Sequence, residues 1–253
     1  MHGRRLYAHR GASAERPENT WIAFERAVAC GVDALEMDVH LTADDVLIVA
    51  HDDTAKRTCG VDAPWSELTL AEAQRLDAGW GFVAPDGTRP FAGTGVRVER
   101  FEDVLAAFPQ KINVDIKGER AVEKMLAAVK GQEERVTIAS FQARTLISVR
   151  RHGYAGDTAL AQNEVLSLLA LPAVAWRALP FTGTAAQVPV KAGPLRFDRP
   201  AFLAKCHSLG LRVDFWVIDD VAEAQRLLEL GADGIMTNDP AKLAPLFASD
   251  PKH

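Results

Sequence analysis

At 253 residues, with 48% hydrophobic and 25% charged side chains, the chain has the make-up of a globular protein long enough for one large core. A net charge of −5 without any block of like charge argues against nucleic acid as a partner, although a bound cation would still let the chain take a small phosphorylated ligand. No apolar run approaches the ~20 residues of a membrane span, no apolar stretch of a secretory leader opens the chain, and Cys30, Cys59 and Cys206 lack both metal-ligand and disulfide spacing, so a cytoplasmic enzyme with reduced thiols is expected.

In chain order, a strand-like run at 6–9 precedes Asn19 and Thr20, either of which can cap a helix that closes at Gly31. A second strand is predicted at 34–40. A ninth strand-like run, 46–50, follows a tight-turn sequence at 41–45, and a turn-rich stretch with Gly60, Gly79, Gly81, Gly87, Gly93 and Gly95 comes next. Further strands are predicted at 112–117, 136–141, 158–161, 186–190, 212–218 and 234–237, with helical patterns between them ending on Gly131, Gly153, Gly210 and Gly231.

Eight strands, most followed by a helix, describe a (β/α)8 TIM barrel. The competitor is a doubly wound open sheet, but no Gly-x-Gly-x-x-Gly follows the first strand. Residues 1–253 therefore read as one barrel domain with a small insertion after the second strand, about 42–97, on the catalytic face. If the insertion opens with a hairpin about Ala43–Asp44, opposed residues sum to about 87, which sets His51 across from Glu36.

Side chains alternate along a strand, so Glu36 and Asp38 share one face and Leu35, Met37 and Val39 the other. Two carboxylates pressed together inside a barrel need a cation, and oxygen ligands select Mg²⁺, Ca²⁺ or Mn²⁺ over Zn²⁺. The pattern recurs in Asn113, Asp115 and Lys117, which makes Asp115 a candidate third ligand and Lys117 a point charge for a phosphate oxygen. His9-Arg10-Gly11 ends the first strand at the barrel's carboxyl rim, where His9 can move a proton and Arg10 can grip phosphate bidentately. His51, returned by the hairpin, is the second imidazole.

Taken in order, His9-Arg10-Gly11, Pro17-Glu18-Asn19-Thr20, Glu36-Met37-Asp38-Val39, His51-Asp52, Asp115-Ile116-Lys117, Ser140-Phe141 and the run from Gly234 to Pro240 resemble the glycerophosphodiester phosphodiesterase family across nearly the whole chain. The resemblance implies a TIM barrel with a small insertion after the second strand. It also implies His9 and His51 as the general acid and base, Arg10 and Lys117 on the phosphate, and Glu36, Asp38 and Asp115 on one divalent cation. Glu18 would lie near metal and phosphate, and Trp216 stands where the family carries an aromatic near the substrate, although core packing explains it equally. Two residues depart from the family pattern. Asp115 replaces the usual Glu and is one methylene shorter, and Asn238 stands where Asp is common.

The implied reaction is hydrolysis of a small phosphodiester to sn-glycerol 3-phosphate and an alcohol, by attack of water or of the neighbouring glycerol hydroxyl. The rivals are a lysophospholipase D-type enzyme, with Phe82, Val83, Phe91 and Val96 as its apolar entry, and a non-catalytic barrel that binds phosphorylated ligands. Apolar helix faces would also serve a homodimer, although none is singled out.

Overall fold

Short apolar strands alternate with helices throughout the computed structural model, which describes residues 3–176, 178–179 and 182–248. The strands are β1 (Arg5–His9), β2 (Ala34–Leu41), β3 (Leu47–Val49), β4 (Lys111–Ile116), β5 (Val136–Ala139), β6 (Ala185–Val188), β7 (Lys191–Ala192), β8 (Leu195–Arg196), β9 (Arg212–Phe215) and β10 (Gly234–Thr237). Seven of them pair in parallel in the order β5-β4-β2-β1-β10-β9-β6.

The two edges of this curled sheet meet through residues 158 and 159. Ile138 bridges Thr158 and Ala159 bridges Ala185, both in parallel, which closes a TIM barrel with eight strand positions. The strand expected at 158–161 is thus reduced to a pair of bridges. Ala161 is already the N-cap of the helix Gln162–Ala170, so the backbone turns out of the sheet at that point. The expected 186–190 strand likewise stops at Val188, because Pro189 has no N–H to donate.

The alternation read from β2 and β4 holds. Leu35, Met37, Val39, Ile112, Val114 and Ile116 join the main core with Phe24 and Ala27 of the helix Trp21–Ala29, while Glu36, Asp38, Asn113 and Asp115 lie buried on the other face, inside the barrel. Below them, Tyr7 donates its hydroxyl hydrogen bond to Asp214, and Arg212 binds Asp214 and the Asp233 carbonyl, which plugs the barrel's amino end.

At the other end, Gly11 packs tightly against the first helix. A Cβ there would lie 2.7 Å from that of Ala23, and its φ of +81° also favours glycine. The helix does not start on a side-chain cap. Thr20 occupies the N-cap position, but its hydroxyl donates to the Pro17 carbonyl at 2.6 Å, and Asn19 donates instead to Asp38 at 3.1 Å.

β3 pairs antiparallel with β2 in the register Val39–Val49, His40–Ile48 and Leu41–Leu47, one residue away from the expected one. The loop has three residues rather than two, with Asp45 in the left-handed region at φ +56°. Extrapolated, this register sets Met37, not Glu36, across from His51. The consequence for the site is small, because Ala50 makes the last pairing bond, to the Asp38 carbonyl, and His51 lies in the bend beyond it. The segment that follows gathers its own cluster of buried apolar residues about Ile48, Trp65 and Val98.

Candidate active site

The carboxyl ends of β1, β2, β4 and β9, together with the bend after β3, surround a cleft of about 390 Å³. His9, Arg10, Glu36, Asp38, His51, Asp115, Lys117 and Trp216 all line it. Of the catalytic, phosphate-binding and metal-binding residues implied by the resemblance, Glu18 alone does not. It faces a small neighbouring recess beside Trp65 and acts on the cleft through Arg10, whose Nη1 donates to it at 2.9 Å.

Arg10 sits in the left-handed region, at φ +57°, a strained conformation for a residue with a Cβ. In this conformation its backbone N–H donates to both the carbonyl and the carboxylate of Glu36, each at 3.0 Å. Its Nε lies 3.2 Å from Asp38 Oδ2.

Three buried carboxylates share the floor, and the charge around each differs. Burial, then the charge of Asp38, push the Glu36 carboxyl well above its ordinary pKa. Burial alone would raise Asp38 as well, but Lys117 and Arg10 overcome it and hold Asp38 below the usual range. Burial raises Asp115, with Lys117 offsetting part of the effect. The Lys117 ammonium lies 2.6 Å from Asp38 Oδ1 and 2.6 Å from Asp115 Oδ2, and these carboxylates keep it charged despite burial.

Among the described residues, no three acidic, histidine or cysteine side chains form a ready-made metal-ligand group, and Lys117 holds Asp38 and Asp115 to itself. The chemistry of the trio nevertheless fits a hard divalent cation. All the donors are oxygens, Asp115 Oδ1 is buried without a hydrogen-bond partner, and burial and the charge of Asp38 press Glu36 toward its neutral form.

The two imidazoles are held by different partners. His9 Nδ1 is 2.7 Å from Asn238 Oδ1. Asn238 Nδ2 donates to Asp219, and Oδ1 also accepts from Ser13, so His9 donates from Nδ1 and, when neutral, presents its Nε2 lone pair to the cleft. Burial lowers the pKa of His9, with the Asn238 bond partly opposing it. His51 Nδ1 is instead 2.7 Å from a carboxylate, Asp52 Oδ1. Arg57 holds that carboxyl down at about 2, against the opposing effect of burial, and with its other nitrogens grips Glu18.

Sequence reasoning missed Arg57 and Asp219 as supports of the two imidazoles. It also missed Gln187, which reaches across the barrel to Asn113 at 2.7 Å. The apolar entry expected in the insertion is not at the cleft, since Phe82, Val83, Phe91 and Val96 line none of it. Phe82 and Phe91 pack edge to face on each other, 5.1 Å between centroids. Val96 packs on the insertion's own cluster.

A closed parallel barrel whose acids and histidines converge at the carboxyl rim is a TIM-barrel enzyme scaffold. The sequence matches the glycerophosphoryl diester phosphodiesterase family over residues 9–242, and the chain belongs to that family of phosphoric diester hydrolases acting on glycerophosphodiesters. It is similar to a glycerophosphodiester phosphodiesterase of Caldanaerobacter subterraneus subsp. tengcongensis, 32% identical over 252 residues, with 95% of this chain and 96% of that protein covered. Lysophospholipase D GDPD1 of Rattus norvegicus is 29% identical, covering 94% of this chain and 84% of its own. Among solved structures, the fold is shared with an Oleispira antarctica phosphodiesterase in complex with the product sn-glycerol-3-phosphate, at TM-score 0.78 and 21% identity, with 97% of each chain covered.

Proposed function

We propose that the chain hydrolyses glycerophosphodiesters to sn-glycerol 3-phosphate and an alcohol, with His9 as general base, His51 as general acid, and Glu36, Asp38 and Asp115 holding one divalent cation, Mg²⁺ or Ca²⁺, with Mn²⁺ as an alternative. The observation that carries this reading is the unequal support of the two histidines on one cleft. His9, neutral and donating from Nδ1 to an amide, offers a lone pair at Nε2. His51, backed by the Asp52 carboxylate, has a partner that steadies the positive charge of a ring carrying both protons.

His9 takes the proton of the attacking oxygen, either water or the substrate's own glycerol hydroxyl, as that oxygen bonds to phosphorus. The bond from phosphorus to the departing alcohol breaks, and His51 gives that oxygen its proton. If the glycerol hydroxyl attacks, a cyclic phosphate forms and water opens it. Arg10 and Lys117 supply fixed positive charge for the phosphate. A bound cation would draw further charge from the non-bridging phosphate oxygens.

Glycerophosphocholine is the assay substrate. Release of sn-glycerol 3-phosphate is expected, lost after exhaustive chelation and restored by Mg²⁺ or Ca²⁺. Full activity in His51→Ala would overturn the acid–base assignment, and full activity after chelation would overturn the cation.

A further inference from the structure

His51 stands where no strand holds it. β3 ends at Val49, Ala50 makes the last pairing bond, to the Asp38 carbonyl, and residues 51–53 form a bend. A side chain that delivers a proton has to stay within hydrogen-bond reach of the oxygen it serves, and an irregular stretch has no ladder to keep it there. Here three successive backbone carbonyls of the bend are each caught from outside. The His51 carbonyl accepts from His40 Nε2 at 3.1 Å, the Asp52 carbonyl from the indole Nε1 of Trp65 at 2.8 Å, and the Asp53 carbonyl from the backbone N–H of Trp65 at 3.0 Å. Both holders are themselves fixed. His40 belongs to β2, opposite Ile48, with its side chain 12% exposed. Trp65, 1% exposed, lies in the insertion's own apolar cluster with Ile48, Ala55 and Val98. An indole N–H buried that deeply is costly without an acceptor, so ring and carbonyl fix one another.

We infer that Trp65 and His40 are positioning residues for the proton donor His51, and that the insertion's apolar cluster serves the departure of the leaving alcohol by anchoring this bend. This rests on the assignment of His51 as general acid made above. Neither Trp65 nor His40 lines the cleft, so both act through the backbone of residues 51–53. Asp52 orients the His51 ring at Nδ1, and Trp65 in turn holds the Asp52 carbonyl, so a loosened bend displaces the ring and its carboxylate together. Just beyond, Thr54 bridges Pro64 and the Ala55 N–H donates to the Ala63 carbonyl at 2.9 Å, which carries the grip on into the insertion.

The test compares two diesters of glycerol 3-phosphate that differ in the alcohol, with the full chain and Mg²⁺ or Ca²⁺ supplied. Choline leaves as an alkoxide that needs a proton, whereas p-nitrophenol leaves as a stable phenolate that does not. kcat/KM for release of the alcohol reports the steps up to its departure, whichever oxygen attacks. Trp65→Phe, which keeps most of the packing and removes the indole N–H, should lower it by about 10²-fold for the choline ester and leave the p-nitrophenyl ester nearly unchanged. His40→Leu should show the same selectivity. His40→Gln, whose amide N–H can meet the His51 carbonyl, should recover most of the loss.

Equal losses on the two esters would reduce both residues to general structural support and overturn the inference, and so would an unchanged rate on the choline ester. If Trp65→Phe does not fold, the two His40 variants decide. His51→Ala, measured on the same pair of esters, separates this inference from the reading beneath it. A loss confined to the choline ester upholds His51 as the acid, and the bend variants then stand or fall alone. An equal loss on both esters would overturn that assignment and the positioning role with it. No turnover of either ester by the unaltered chain would overturn the phosphodiesterase reading itself.

Discussion

Lys117→Met is the substitution that most directly tests the charge balance of the site. Lys117, Asp38 and Asp115 have side chains only 15%, 4% and 8% exposed, and the ammonium touches both acids at 2.6 Å. Methionine keeps much of the volume and removes the charge. Asp38 then retains Arg10, while Asp115, whose Oδ1 already lacks a partner, loses its bond at Oδ2 as well. Removing one member of a buried ion pair costs about 3–5 kcal/mol. For a domain of this size, that corresponds to a fall in Tm of roughly 6–20 °C.

The sign with pH follows from the carboxylates. Without Lys117 their folded-state pKa values lie above the unfolded ones, so the loss is small where they are protonated, near pH 4, and grows as pH rises. A divalent cation at about a hundred times its Kd would return about 2.7 kcal/mol. Scanning calorimetry in EDTA and then in Mg²⁺ or Ca²⁺, at pH 5 and 7.5, reads all of these effects. A variant as stable as the wild type at pH 7.5 in EDTA would refute the dependence of the carboxylates on Lys117. A cation-induced rise in Tm no larger than that of the wild type would refute their role as its ligands.

Two further outcomes are expected. Because burial and Asp38 raise the Glu36 pKa, the free enzyme carries a proton there at higher pH than an ordinary glutamate does. Cation binding should therefore release about one proton and tighten about tenfold per pH unit below that pKa, and binding heats that do not depend on the buffer's ionisation enthalpy would contradict this. Asp52→Ala should lower kcat by about 10²–10⁴-fold with KM nearly unchanged, because Asp52 positions His51 without touching substrate. Arg57→Met, which frees Asp52, should show a smaller loss of the same kind, and wild-type kcat in Asp52→Ala would rule out the positioning role.

The strands were legible because their signal is local. A buried barrel strand keeps apolar residues toward the helices and its few polar ones inward, and a period of two reveals both β2 and β4. The same alternation set Glu36, Asp38 and Asp115 on one surface, and β4 pairs Asp38 with Asp115 in register. Signals shorter than an element failed. The hairpin slipped by one residue because either of the adjacent Asp44 and Asp45 could take a left-handed turn position, and the sequence does not say that Asp45 is the one that does. The strand at 158–161 shrank because the next helix starts sooner than its apolar pattern suggests. The apolar entry was sought in the insertion, where the composition is turn-rich and aromatic. The structure instead lines the cleft with Phe141 just after β5, Leu166 on the helix Gln162–Ala170 and Leu195 on the β7–β8 hairpin, exposed apolar side chains that look ordinary one at a time.

The longer-range supports of the site were illegible for a different reason, since they span chain distances that no local pattern records. Arg57 meets Glu18 across 39 residues, and His9 meets Asn238 across 229. Asn238 could not be interpreted from the sequence because its meaning lies in Asp219, which accepts from its amide at 2.9 Å and from its backbone N–H at 2.8 Å. A carboxylate in place of Asn238 would draw a second proton onto His9. The amide leaves the ring neutral and keeps the negative charge one hydrogen bond further away. His51, by contrast, touches its carboxylate directly. One imidazole set to accept and one set to donate follow from that difference in partners, which is why the identity of residue 238 bears on the direction in which protons move through the site.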